Sequence, residues 1–218
     1  MIAKKKLKKY SRNFLTKKRR KIICQTKKRC IMKNSNLHAA AGSLLISEPL
    51  LADGFFKRSV VLVSEHDTKG ALGFILNKLT DVKLNDAVDD FPVFDAPLFF
   101  GGPVDTDTLF YIHTVGHLFE DAKEIIKGVY LGGDYDRLKF LIDTKQINNK
   151  QIRFYAGYSG WSEKQLEREI TQHSWMLGHA NKEFTFYPEP EVLWSQVLRS
   201  MKNKYSLLAN FPDDPTLN

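Results

Sequence analysis

The run from Gln151 to Ile170, QIRFYAGYSGWSEKQLEREI, restricts what this chain can become more than any other stretch. Gln151 to Ala156 alternates and is rich in β-branched and aromatic residues, which reads as a strand. Gly157-Tyr158-Ser159-Gly160 interrupts that pattern with two glycines free to take positive φ, so a tight turn is expected there. Ser162 and Gln165 stand in the S-x-x-Q spacing of a capping box, and a helix is expected to open at Ser162. Leu166 and Ile170, four residues apart, give that helix an apolar side.

A glycine turn between a strand and a helix start aims backbone N–H groups at the positive end of the helix dipole and could hold an anion. The same glycines equally fit a sharp turn packed under Trp161. Two sharper motifs are excluded by spelling. A nucleophile elbow needs G-x-S-x-G, and Trp161 stands at the last glycine position; a P-loop needs a longer glycine loop ending in Lys-Ser/Thr.

The formal net charge of +8 suggests nucleic acid until it is located. Of 33 basic residues, 14 fall within the first 31 positions, and no acid precedes Glu48. The remainder carries 19 basic against 25 acidic residues, a net of −6, so the sign of the charge flips near Met32. The basic leader has few apolar residues, repels itself and lacks the apolar core of a secretory signal, so it is expected to be disordered in isolation. It reads either as an arm that neutralises phosphates on DNA or RNA, or as sequence upstream of a true start at Met32. Its two cysteines, Cys24 and Cys30, have no zinc spacing, and a thiol-free body fits a reducing cytosol. An apolar fraction of 43% is enough for a packed core, while no run is long enough to span a membrane.

Along the body, Gly42–Leu51, Arg58–Glu65 and Ala71–Asn77 read as strands. The last two are expected to pair as a hairpin around His66–Gly70, with Gly73 allowing close backbone approach. Asp81 can cap a short helix in which Leu84 and Val88 share a face. Leu98–Phe100, Leu109–Thr114 and Gly128–Leu131 are further strands, with Asp105-Thr106-Asp107 as a turn. Asp134 can cap a helix through Leu138, Leu141 and Ile142; Glu183–Tyr187 reads as a strand, and Pro190 opens a last helix.

Candidate chemistry is thin. His113 and His117 have H-x3-H spacing, but in an extended segment positions four apart lie about 13 Å from one another, too far to share a metal. Strand parity sets Ser59 and His66 on opposite faces, so no serine–histidine relay is expected. Arg58 is assigned a partly buried structural role, paired with a carboxylate. Trp161, Trp175 and Trp194 sit on separate elements and are assigned to core packing.

The ordered series LLISEPLL, FFKRSVVLVSEH, GALGFILNK, GGPV and GYSGWSEKQLERE, running from about Gly42 to the C-terminus, resembles the YqgE/AlgH family. Asn77-Lys78-Leu79 departs from that family's usual Asn-Arg-Pro, and Ser159 replaces the alanine of its G-Y-A-G-W. The resemblance implies an α/β (α+β mixed) single domain over residues 32–218, with a bifurcated, partly barrel-like mixed β-sheet surrounded by helices, in the bacterial cytoplasm. The family has no agreed biochemical activity, and some members are named as transcriptional regulators. The expectation is therefore a non-enzymatic regulatory or binding protein with no catalytic residue, metal or cofactor. Its partner would be a protein or small molecule, with nucleic acid bound only through residues 1–31 and no membrane contact. The alternative is a small-molecule or anion-binding enzyme whose cleft gathers Arg58, Ser59, His66, Asn77, Gly101, Gly102, Gly157, Gly160 and Trp161.

Overall fold

The computed structural model describes residues 38–51, 53–201 and 205–211, and the backbone of residues 5–6. Cys24, Cys30, Met32 and the chain from Pro212 onward lie outside the described residues. The strands are β1 (Lys5–Lys6), β2 (Ser43–Ser47), β3 (Val60–Asp67), β4 (Gly70–Ile75), β5 (Leu79–Lys83), β6 (Pro97–Phe100), β7 (Val104–His113), β8 (Lys123–Ile126), β9 (Val129–Leu131), β10 (Ile152–Ser162) and β11 (Trp175–His179). The helices are α1 (Leu84–Ala87), α2 (Tyr135–Asp143), α3 (Gln165–Thr171), α4 (Lys182–Thr185), α5 (Pro190–Ser200) and α6 (Tyr205–Leu208).

The described strands form one branched sheet, ordered β11-β2-β3-β4-β10-β7-β9-β8, with β6 also on β10 and β5 on β6. Every pairing is antiparallel except β6 with β10. The branch lies in β10. Its first half, Ile152–Ala156, is flanked by β7 and β6; its second half, Ser159–Ser162, turns to β4. The expected turn at Gly157–Gly160 is therefore a strand that passes from one wing to the other. Gly157, at φ 69°, supplies the bulge that makes the passage, and the register against β7 shifts there.

That bulge inverts side-chain parity. Ile152, Phe154 and Ala156 pack against α1 and α2, with Leu84, Leu138 and Leu141. Beyond Gly157, Tyr158 joins Tyr155 on the other face, in the cluster that α5 closes with Leu193, Trp194, Val197 and Leu198. Trp161 then faces a third cluster, under α3 with Leu166 and Trp175. Ser64 does the same in β3: Val63 faces Gly73 and Glu65 faces Leu72, so Ser64 is the extra residue. His66 consequently lies across from Ala71 on the α3 side, the face of Val61 and Val63, and not opposite them as simple alternation predicts.

Other elements depart from sequence expectation for local reasons. The half capping box at Ser162 forms, with the Gln165 side chain accepting from Ser162 N–H at 3.0 Å, but Lys164 takes a left-handed conformation and α3 begins only at Gln165. Asp81 lies within β5, and α1 starts after Lys83 without a side-chain cap, although Leu84 and Val88 are both buried. Of the segment expected as a strand at Glu183–Tyr187, Glu183 to Thr185 lie in α4, which Asn181 caps by accepting from Phe184 N–H at 2.7 Å, and Phe186 and Tyr187 follow its end. Asp105–Asp107 is not a hairpin turn but an excursion inside β7, with Asp105 at φ 49°. The cap at Asp134 is present, accepting from Arg137 N–H at 2.6 Å. Pro190 opens α5, and Gly73 packs against β3, where a Cβ would lie 2.6 Å from the Leu62 carbonyl oxygen. Among the described residues, no helix is long and apolar enough to cross a membrane.

Candidate functional site

The glycines singled out from sequence do converge. Gly101 and Gly102 follow β6, and Gly157 stands at the branch of β10. A Cβ on Gly101 would lie 2.2 Å from the Gly157 carbonyl oxygen, and one on Gly102 would lie 2.3 Å from that of Tyr158. Gly101 N–H donates to Ala156 O at 2.9 Å, while its carbonyl accepts from Ile75 N–H at 3.0 Å and from the Ser159 hydroxyl at 3.0 Å. These groups fasten the two wings of the sheet to each other, backbone against backbone.

The polar residues beside them are fastened in the same way. Ser59 is fully buried; its N–H donates to the Ser47 hydroxyl at 2.8 Å. Asn77 bridges β3 and the chain before it, accepting from Val60 N–H at 2.9 Å and donating to Arg58 O at 2.8 Å. Arg58, at φ 50°, lays its guanidinium over the Trp194 ring at 4.7 Å and donates to the Phe211 carbonyl. Lys78 donates to Phe55 O at 2.7 Å; burial lowers its pKa against the upward pull of Asp53. His66 reaches Glu167 on α3 at 2.8 Å, far from any serine relay. Among the described residues no group of histidines, cysteines or carboxylates could hold a metal ion.

Gly160 and Trp161 are placed differently. Both line a shallow, solvent-open depression of about 410 Å³ at the end of the β3–β4 hairpin, together with Glu65, Asp67, Leu72, Val104 and Tyr158. Glu65 is paired with Lys123 at 2.9 Å, and Asp67 accepts from Lys69 N–H at 2.7 Å. Burial and the charge of Asp105 both raise the Tyr158 pKa. Lys69 lines it as well, so the two carboxylates face a cation of their own, and with Ala71, Leu72 and Trp161 the lining is mixed charged and apolar, which suits an amphipathic ligand.

Two arrangements escaped the sequence. Arg153 is buried inside the curl of the sheet, donating to Leu76 O at 3.2 Å and to Tyr187 O, with its guanidinium 4.7 Å above the Phe99 ring. Its desolvation lowers its pKa, and burial beside it pushes Tyr155 up to about 12. A lone arginine in an otherwise apolar strand was the available signal. The second is Glu169, whose Oε2 accepts from the indole N–H of both Trp161 and Trp175 at 2.9 Å.

The extended segment expected to carry both His113 and His117 ends at His113, and His117 lies beyond it in a short 3-10 turn, Gly116–Leu118. His117 is exposed, whereas His113 is fully buried between Phe119 and Tyr130. Its Nδ1 accepts from Val115 N–H at 3.3 Å, so Nε2 carries the proton donated to Gly132 O at 2.8 Å. That neutral tautomer is favoured by burial, which lowers the His113 pKa against the smaller opposing effect of the Gly132 bond. A folded-state pKa below the unfolded value means that protons bind preferentially to the unfolded chain. The contribution is whole above the ordinary histidine pKa and is lost as pH falls from there through the folded value. Thermal melts between pH 7 and pH 5 should show a decline that is shallower in His113→Gln; equal slopes would show that this ring does not titrate with unfolding.

The fold and the closed polar network define a class: a single-domain protein built on a curled, half-barrel sheet with helices on its faces, with an open depression of mixed charged and aromatic lining at the end of the β3–β4 hairpin. Comparison with known proteins places it within that class. A family model described as AlgH-like matches residues 44–206. A "UPF0301 protein" of Cytophaga hutchinsonii is 44% identical over 178 residues, covering 81% of this chain and 98% of the relative. One of Chlorobaculum parvum is 42% identical, covering 82% and 95%. Among solved structures, a protein of Corynebacterium diphtheriae shares the fold with a TM-score of 0.69 at 20% identity, over 82% of this chain and 95% of that one. The AlgH protein of Pseudomonas aeruginosa, in solution, gives 0.63 at 26%, over 83% and 98%. This chain belongs to the AlgH-like UPF0301 family.

Proposed function

We propose that this chain is a non-enzymatic binding protein with a regulatory role, acting by recognition of a small molecule or protein and not by bond-breaking. One observation carries the reading. Each polar group that sequence reasoning gathered at the strand ends is closed onto the chain's own backbone or onto a neighbouring side chain: Ser59 on Ser47, Asn77 on Val60 and Arg58, His66 on Glu167. A nucleophile needs an exposed oxygen or sulfur within reach of a base, and Ser59 has neither exposure nor such a neighbour. Recognition is left to the depression containing Gly160 and Trp161, whose lining mixes apolar residues with Glu65, Asp67 and Lys69. A regulatory role in the bacterial cytoplasm is what the family likeness adds.

A thermal-shift panel of metabolites, nucleotides, amines and basic peptides on the full chain tests this reading. A ligand at a hundred times its Kd stabilises by about 2.7 kcal/mol, which for a body of this size raises Tm by roughly 5–10 °C. The shift should shrink in Asp67→Asn/Tyr158→Ala. Reproducible turnover in a hydrolase and phosphatase panel, abolished by His66→Ala, would overturn the proposal.

A further inference from the structure

Strand β7 has two edges, and they are covered unequally. One is taken by β10. On the other, β9 reaches only Ile112 and His113. The next backbone to pair with β7 on this side comes from the opposite end of the chain: Lys5 lies across from Leu109 and Lys6 from Thr108, antiparallel. Toward its start, β7 leaves the β10 ladder. Ala156 faces Leu109 and Tyr158 faces Val104, so Asp105–Thr108 form an excursion, in which Asp105, Thr106 and Asp107 are exposed. Neither aspartate is held in an ion pair among the described residues.

An uncovered strand edge is a ready template for an added strand, and here a basic segment is the one that has arrived. Because the pairing is antiparallel, the direction from Lys5 to Lys6 runs from Leu109 to Thr108, that is, toward Val104. Leu7-Lys8-Lys9-Tyr10 come next in the sequence, and at about 3.3 Å per extended residue four residues cover the distance to Val104. Val104 lines the depression that also holds Glu65, Asp67, Lys69, Leu72 and Tyr158. Edge, exposed carboxylates and depression therefore lie in one line, and a net −6 body meets a leader with 14 basic residues and no acid.

We propose that the β7 edge from Leu109 to Val104, with the depression at its end, is a docking track for an extended basic peptide, and that the chain's own segment Ile2–Tyr10 is its occupant. Backbone pairing supplies the register, and Asp105 and Asp107 supply the preference for lysine. The leader thereby caps an edge that would otherwise be open to another chain. This assignment is independent of the ligand reading above, since it concerns what covers the edge in the unliganded full chain.

Amide hydrogen exchange on the full chain tests it. Fragments spanning 104–111 should exchange at least about tenfold more slowly in the parent protein than in Lys5→Pro/Lys6→Pro, which removes two backbone donors and two charges but keeps the other twelve. A synthetic peptide of residues 2–12 added to the proline variant should restore the protection, and should fail to do so on the proline variant that also carries Asp105→Lys/Asp107→Lys. Equal exchange in parent and proline variant would overturn the assignment. So would restoration by a scrambled peptide of the same charge, because charge alone would then account for the effect. If duplex DNA at physiological ionic strength strips the protection from the parent, the leader docks on the edge in the unliganded chain, as assigned, and nucleic acid competes for it.

Discussion

Gly101→Ala is expected to leave almost no folded protein. The new methyl carbon would stand 2.2 Å from the Gly157 carbonyl oxygen and 3.1 Å from Tyr155 Cβ. The nearest obstacle is backbone, not the far end of a flexible side chain, so relief requires the two wings of the sheet to separate. Separation would break the bonds from Gly101 N–H to Ala156 O and from Ile75 N–H to Gly101 O, which close the branch. Buried backbone groups left unsatisfied cost about 1–3 kcal/mol each. With the steric term the total exceeds about 4 kcal/mol, a large part of a typical domain's 5–15 kcal/mol. Gly54→Ala is the control: nothing lies within 4 Å of its Cβ position, and its effect should stay within about 0.5 kcal/mol. Soluble yield and denaturant midpoints compare the two. If Gly101→Ala melts alongside Gly54→Ala, the branch is not held by backbone contact.

The same branch explains which parts of the molecule could be read from the sequence. Strands whose apolar runs are buried on both faces, such as Val60–Val63, and helices with a cap residue, such as Asp134, stand where their local chemistry puts them. Parity failed at two residues. Ser64 and Gly157 each insert one extra position, and each reverses the facing of everything beyond it. His66 thereby reached α3 and Tyr158 joined the inner cluster, and neither change is announced by residue type. Glycines were legible as places of close approach, but whether a ligand or another strand makes the approach depends on contacts distant in sequence. Gly101 meets Gly157 across more than fifty positions. The candidate site suffered most, because polar residues at strand ends look alike whether they face solvent or tie down backbone. The burial of Ser59 and the two bonds of Asn77 decide that, and both follow from the packing of the complete sheet.

Removing one carboxylate on α3 should loosen two tryptophans at once. Glu169 Oε2 accepts from the Trp161 and Trp175 indoles at 2.9 Å each, and its Oε1 accepts from the Gln165 amide at 2.9 Å. Trp161 belongs to β10 and Trp175 to β11, at opposite ends of one wing, and their rings meet edge to face at 6.1 Å beside Phe56. Both rings are more than nine-tenths buried, so an indole N–H deprived of its acceptor has little water to turn to. Hydrogen bonds to a charged group contribute about 1.5–3 kcal/mol when well shielded. Glu169 itself is half-buried, so solvent screening and water entry put the expected loss for Glu169→Ala at the lower end for the pair, about 2–3 kcal/mol. Glu169→Leu restores volume without an acceptor and should lose nearly as much, whereas Glu169→Gln keeps one carbonyl oxygen and should lose about 1 kcal/mol. Tryptophan emission should shift to the red in the alanine variant before global unfolding, because beside these two bonds α3 is held to the sheet chiefly by the exposed His66–Glu167 contact and the packing of Leu166 and Ile170. An alanine variant within about 0.5 kcal/mol of the parent, with unchanged emission, would mean that the apolar cluster alone fixes the helix.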